Sequence, residues 1–233
     1  MKAFAIVLKE DKVSQESFIV LKDSSFKAGN NFKIEEFEAI TGSESTQLLE
    51  QKNLEWNYPW EGAKMDFASG MLKAAYPTAK PSKRIACALS HYTLWEQCAA
   101  GQENFLILEH DAYFLHNINH VEEQINKLPA LVVGINHPVG ATRKSVDFYE
   151  KVMACKDDYM RTPWIDDQKI PQGIAGNSAY ILKPAGAQVL LDLVKEYGLW
   201  PNDAIMCKQL IPELWVSTTF YTRVQGTVST TSL

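Results

Sequence analysis

The sequence has no long hydrophobic run, no clustered cysteines and no excess of positive charge. No stretch approaches the ~20 apolar residues that a bilayer-spanning helix needs. The apolar start, Ala3 to Leu8, is too short for the core of a signal peptide, and no small-residue cleavage site follows it. The four cysteines, Cys87, Cys98, Cys155 and Cys207, lie far apart and form no CxxC. That spacing argues against zinc fingers and disulfide-dense folds and fits free thiols in a reducing compartment. A net charge of −5 argues against a general nucleic-acid binder with a broad basic face, and against adsorption to anionic lipid. Repeats and low-complexity linkers are absent too. The expectation is one soluble, cytoplasmic domain over residues 1–233.

What is present is an alternation of strand-like and helix-like stretches, the pattern of an α/β fold. Ala3 to Leu8 reads as a buried strand, Ser14 to Leu21 as a short helix and Phe32 to Ile40 as a second strand ended by Thr41-Gly42. Glu44 to Lys52 looks helical. Leu54 to Tyr76 is irregular and rich in aromatics: Trp56, Tyr58, Trp60, Phe67 and Tyr76. These either stack on a sugar or base or form a satellite core under a loop. Pro81 to Ala100 is the strongest helix, with Ile85, Ala88, Leu89, Tyr92, Trp95 and Ala99 at steps of three and four and Ser82 as the expected N-cap. Further strands are expected over Phe105–Leu108, Ala130–Ile135, Ser178–Leu182 and Leu214–Thr219. Helices are expected over His120–Lys127, over Pro184–Tyr197, and from Pro201 to about Leu210 with Asn202 or Asp203 as cap. The pattern assigns no element to Gly140–Arg161, and Thr162–Ile170 reads as a loop.

The chemistry centres on Asn104 to Leu115, NFLILEHDAYFL. A buried apolar strand there ends abruptly in Glu109-His110-Asp111, and strand carboxyl ends are where open α/β sheets bind ligands. Burying carboxylates costs several kcal/mol unless a cation or hydrogen-bond donors compensate. Two acids separated by one residue suit Mn²⁺ or Mg²⁺, which take oxygen ligands and share a diphosphate. On that reading Asp111 holds the metal and Glu109 sits nearer the nucleotide. His110 points the other way by strand alternation, or becomes a further ligand if the turn has begun. An acceptor hydroxyl needs a general base, and Asp203 is the candidate, against a plain N-cap role. Arg84, Lys83, Arg143, Lys144 and Arg223 are candidate phosphate partners, against a reading as surface charges. His91, inside the long helix beside Ser90, reads by itself as a hydrogen-bonded core histidine, against contact with a ligand.

Several stretches together resemble glycosyltransferase family 25, the lipooligosaccharide-type sugar transferases. They are EFEAITG (Glu36–Gly42), CALSHYTLW (Cys87–Trp95), ILEHDAYF (Ile107–Phe114), GNSAYILKPAGAQVLL (Gly176–Leu191) and PNDAIM (Pro201–Met206), in order along most of the chain. Two departures stand out: His110 replaces the family's middle acid, and Lys83-Arg84 replaces its Gly-Glu. The resemblance implies a GT-A-like nucleotide-binding sandwich around a mixed sheet, a UDP-sugar donor and inverting transfer to an acceptor hydroxyl, most simply a saccharide. It implies Asp111 and Glu109 as the metal and nucleotide acids, Asp203 on the acceptor side, and Ser90 and His91 near the donor. The alternatives are transfer to a hydroxylated base in phage DNA, a two-carboxylate hydrolase, and a non-catalytic nucleotide-sugar or glycan-binding module.

Overall fold

The computed structural model describes residues 1–141 and 144–227. The chain opens with strand β1 (Lys2–Val7), helix α1 (Lys12–Lys27), strand β2 (Ile34–Glu38) and helix α2 (Ser45–Gln51). A hairpin follows, β3 (Ala63–Asp66) and β4 (Met71–Ala74), then the long helix α3 (Pro81–Ala99). Next come β5 (Phe105–Glu109), β6 (Ala112–Phe114), α4 (Val121–Asn126), β7 (Val132–Gly134), α5 (Ser145–Met153) and β8 (Tyr159–Arg161). The last elements are β9 (Ala179–Leu182), α6 (Pro184–Tyr197), α7 (Asn202–Ile205), β10 (Leu214–Ser217) and β11 (Thr222–Val224).

Seven strands form one mixed sheet in the order β2-β1-β5-β9-β7-β10-β8. β2, β1 and β5 run parallel, and β9 runs against both β5 and β7. The carboxyl ends of β1, β2 and β5 therefore share one edge with the amino end of β9. Alternation splits β5 between two cores. Phe105 and Ile107 face the layer built from α3 and α6, while Leu106 and Leu108 face the layer built from α1 and α4. Tyr180 and Leu182 of β9 join the first layer, and Ala179 and Ile181 the second. This is the expected α/β sandwich around a mixed sheet flanked by helices.

Several elements differ from the sequence reading. Pro81 occupies the first helical position of α3, so Lys80 rather than Ser82 is the N-cap. Ser82 instead meets Gly42, where a Cβ would stand 2.9 Å from its Oγ, so the loop after β2 packs closely on the first turn of α3. The residues 140–161, left unassigned above, contain α5 and β8. Part of the aromatic segment forms the β3–β4 hairpin, with Trp56, Tyr58 and Trp60 before it and Tyr76 after it. α7 is a single turn with Pro201 at its N-cap, and it stops at Ile205 rather than continuing to Leu210.

Candidate active site

The alternation that sends Phe105 and Ile107 toward α3 sends Glu109 the same way. Cys87, His91 and Trp95 recur every four residues on α3 and form one stripe facing it. Glu109 Oε2 accepts a hydrogen bond from Ser178 Oγ at 3.2 Å, and Oε1 lies 3.6 Å from His91 Nε2. Burial pushes the Glu109 pKa up, but the His91 and Ser178 contacts outweigh it and hold the carboxyl below its ordinary value.

The strand ends at Glu109, so alternation ends there as well. His110 and Asp111 lie in the turn and line the same cavity as Glu109. His110 thus does not point to the far side of the sheet. Burial lowers its pKa, against the pull of Glu109 and Asp11. Asp111 Oδ1 is buried and has no hydrogen-bond partner. Burial, and then the neighbouring Glu109 charge, raise the Asp111 pKa from 3.8 to about 7.

The cavity holds about 420 Å³ between the carboxyl ends of β1 and β2 and the first turns of α3. That suits a small ligand. Lys9 and Asp11 border it after β1, Ile40 to Gly42 after β2, and Lys83, Cys87, Ser90 and His91 from α3. A larger hollow of about 550 Å³ between α1 and the edge strand β2 contains none of Glu109, His110 or Asp111. The three residues therefore line the smaller cavity and not the larger one.

The other predicted residues divide into three groups. Ser90 borders the cavity, but its hydroxyl accepts from Ile40 N at 2.9 Å and donates to the Ala86 carbonyl at 2.9 Å. It ties α3 to the loop after β2. Arg84 and Asp203 form a second cluster beside the cavity. Asn202 Oδ1 lies 3.9 Å from Cys87 Sγ, which joins the two clusters. Burial raises the Asp203 pKa, opposed by the Arg84 charge and reinforced by Glu109. The Asp203 side chain caps no helix, since Pro201 holds that position. The Arg84 guanidinium lies 5.3 Å over the Tyr76 ring and donates to the Pro77 carbonyl at 3.3 Å, while its buried Nε has no partner. Tyr76 stacks on Tyr58 at 5.7 Å, so these two aromatics wall the Asp203 cluster rather than a loop surface. Of the third group, Lys144 and Arg223 lie elsewhere. Lys144 pairs with Asp166 at 2.9 Å, Arg223 lies over Tyr113, and Arg143 lies outside the described residues.

Asp111 Oδ1, a buried carboxylate oxygen without a partner on the same cavity wall as Glu109, is what an oxygen-preferring cation would satisfy. Cys87 Sγ, His91 Nε2 and a Glu109 oxygen also lie within 4.8 Å of one another. This second set suits Mn²⁺ or Mg²⁺ less well. Burial and the Glu109 charge push the Cys87 thiol far up in pKa, and a protonated thiol is a poor ligand for a hard cation.

Sequence reasoning missed Lys9, Cys87, Ser178 and Tyr180. Lys9 was findable, because it directly follows the first strand at the edge where ligands bind. Ser178 and Tyr180 were not, because their contacts depend on β9 pairing with β5.

Residues 2–206 match the family described as Glycosyltransferase family 25 (LPS biosynthesis protein). No curated protein matches. Among solved structures, the chain is similar to mouse xyloside xylosyltransferase 1 in its apo form, at 13% identity and a TM-score of 0.44 over 91% of this chain and 83% of that one. It is also similar to a glycosyltransferase involved in the glycosylation of the major capsid of PBCV-1, at 9% identity and a TM-score of 0.35 over 93% of each chain.

Proposed function

The chain belongs to glycosyltransferase family 25 and is a glycosyltransferase, and we propose that it moves a sugar from a UDP-sugar to a saccharide hydroxyl with inversion. The observation that carries the donor-site reading is the partnerless, buried Asp111 Oδ1 on the wall of the 420 Å³ cavity. Asp111, with Glu109, would hold Mn²⁺ or Mg²⁺. Bound there, the ion supplies positive charge that neutralises a nucleoside-diphosphate leaving group.

The chain's own residues do the rest. Lys9 and Lys83 bring positive charge to the cavity wall for the diphosphate. Glu109, hydrogen-bonded by Ser178 with His91 facing it, keeps its charge at neutral pH. Asp203 accepts the proton of the acceptor hydroxyl. As it does so, the acceptor oxygen bonds to the anomeric carbon and the bond from that carbon to the diphosphate breaks, its electron pair leaving with UDP. A raised carboxyl pKa favours this role, because a base works best when its pKa approaches the working pH. The Arg84 charge opposes that rise and favours the ionised, proton-accepting form of Asp203.

No helix among the described residues is long and apolar enough to cross a membrane. We place the enzyme in the cytoplasm, where its four free cysteines stay reduced. Transfer to a hydroxylated DNA base is the weaker reading, given a net charge of −5.

The test is UDP release from UDP-sugars with and without a saccharide acceptor, in Mn²⁺ and in chelator. Release that needs both acceptor and metal supports the proposal. Binding of UDP with no turnover under any condition points to a non-catalytic module instead.

A further inference from the structure

Three fully buried polar side chains run in a line from the core to the cavity. Trp95 Nε1 lies 2.8 Å from the Tyr180 hydroxyl, which lies 2.9 Å from His91 Nδ1. The far side of the same imidazole, Nε2, faces Glu109 Oε1 at 3.6 Å. Trp95 and Tyr180 are fully buried and His91 is 1% exposed, so bulk water is no partner for any of them.

The direction of this chain follows from what each group can do. An indole N–H only donates, so Tyr180 oxygen accepts from Trp95. Burial keeps the Tyr180 phenol protonated, so it has one proton to give. Among the described residues the acceptor within reach of that proton is His91 Nδ1. The neutral imidazole then carries its own proton on Nε2, aimed at Glu109. The opposite tautomer would direct two donors at the Tyr180 oxygen and strand the phenol proton in the core.

We infer that Trp95 and Tyr180 are positioning residues of the transferase, which fix the tautomer of His91 so that its Nε2–H is presented to the Glu109 carboxylate. This rests on the reading of Glu109 as a donor-site acid. It also changes how the Cys87–His91–Glu109 cluster is understood. In this tautomer Nε2 has no lone pair for a metal, so His91 acts as a clamp on Glu109 and not as a ligand. A contact of 3.6 Å leaves room to tighten when the cavity fills, as catalytic hydrogen bonds do on ligand binding.

The test is imidazole ¹⁵N NMR on the full chain at a pH where His91 is neutral. The His91 signals are assigned by elimination, replacing the four less buried histidines one at a time by glutamine. The expected pattern in the unmodified protein is a protonated Nε2 and an unprotonated Nδ1. In Trp95→Phe the Tyr180 hydroxyl is free to turn round, so a mixture of tautomers is expected, with kcat/KM down about tenfold or more. Tyr180→Phe should remove the preference entirely and lower kcat/KM at least as far. A protonated Nδ1 in the unmodified protein overturns the inference without needing any variant. So does a Trp95→Phe protein with the tautomer and kcat/KM unchanged. The expected tautomer in a protein that does not bind UDP supports the hydrogen-bond chain and removes only the donor-site reading.

Discussion

Glu109 and Asp111 stand two residues apart with opposite pKa shifts: Glu109 is held below its ordinary value, and Asp111 is raised to about 7. Glu109 has Ser178 and His91 against it, while the Asp111 Oδ1 has no partner. One acid is thus compensated by the protein, and its neighbour is not.

The metal-free protein should therefore lose stability as pH rises. Folded Asp111 keeps a proton that the unfolded chain releases near its ordinary value of 3.8, so its contribution is complete below that value and is lost as pH rises through about 7. Urea unfolding in chelator should show Asp111→Asn more stable than the parent at pH 8 by about 1–2 kcal/mol, discounted for partial solvent access. The two proteins should converge near pH 4.

Adding Mn²⁺ should reverse that order. An ion at 100 times its dissociation constant adds about 2.7 kcal/mol, or roughly 5–10 °C in melting temperature for a chain of this size. The parent should gain this shift and Asp111→Asn should not. An equal shift in both would remove Asp111 from the metal site.

Asp203→Asn should separate chemistry from binding. Loss of a general base lowers kcat by about 10²–10⁴-fold. Affinity for UDP should stay within about twofold, a change of less than ~0.5 kcal/mol. A variant that loses UDP affinity instead would put Asp203 at the donor.

The hairpin supplies a stability prediction away from the chemistry. Lys73 is 2% exposed, with Nζ 2.8 Å from Asp66 Oδ2, 2.8 Å from the Asn57 carbonyl and 3.7 Å from the centre of the Trp200 ring. Burial pulls its pKa down against the attraction of Asp66, so this ion pair is costly to bury. Lys73→Ala should cost about 3–5 kcal/mol in urea unfolding, because it leaves Asp66 facing a cavity. Lys73→Met fills the same space over Trp200 and should cost clearly less.

How much the sequence revealed depended on the range of the interactions. Pro184–Tyr197 was readable to the residue, because Pro184 starts the helix and Gly198, at φ +79°, ends it. That the buried strand ends at Glu109-His110-Asp111 was readable because the apolar run stops there. The working face of α3 was harder. Of the apolar pattern, Ala88, Leu89 and Trp95 are buried, but Ile85, Tyr92 and Ala99 pack at the margin, while Ser90 and His91 are buried. Hydrophobic periodicity gives polar residues no weight, so a buried polar stripe is invisible to it. Tyr180 reaches that stripe only because β9 lies beside β5, a pairing between residues more than 70 positions apart. Lys73 was hidden for the same reason, its partners Asn57 and Trp200 lying on different elements.

The most direct measurement is titration calorimetry of UDP into the full chain, in Mn²⁺ and then in chelator. The account predicts binding in Mn²⁺ that is lost in chelator and lost again in Asp111→Asn. Binding of UDP that is equally strong in chelator, or no binding in either condition, would contradict the assignment of the donor and its metal to the cavity between β1, β2 and α3.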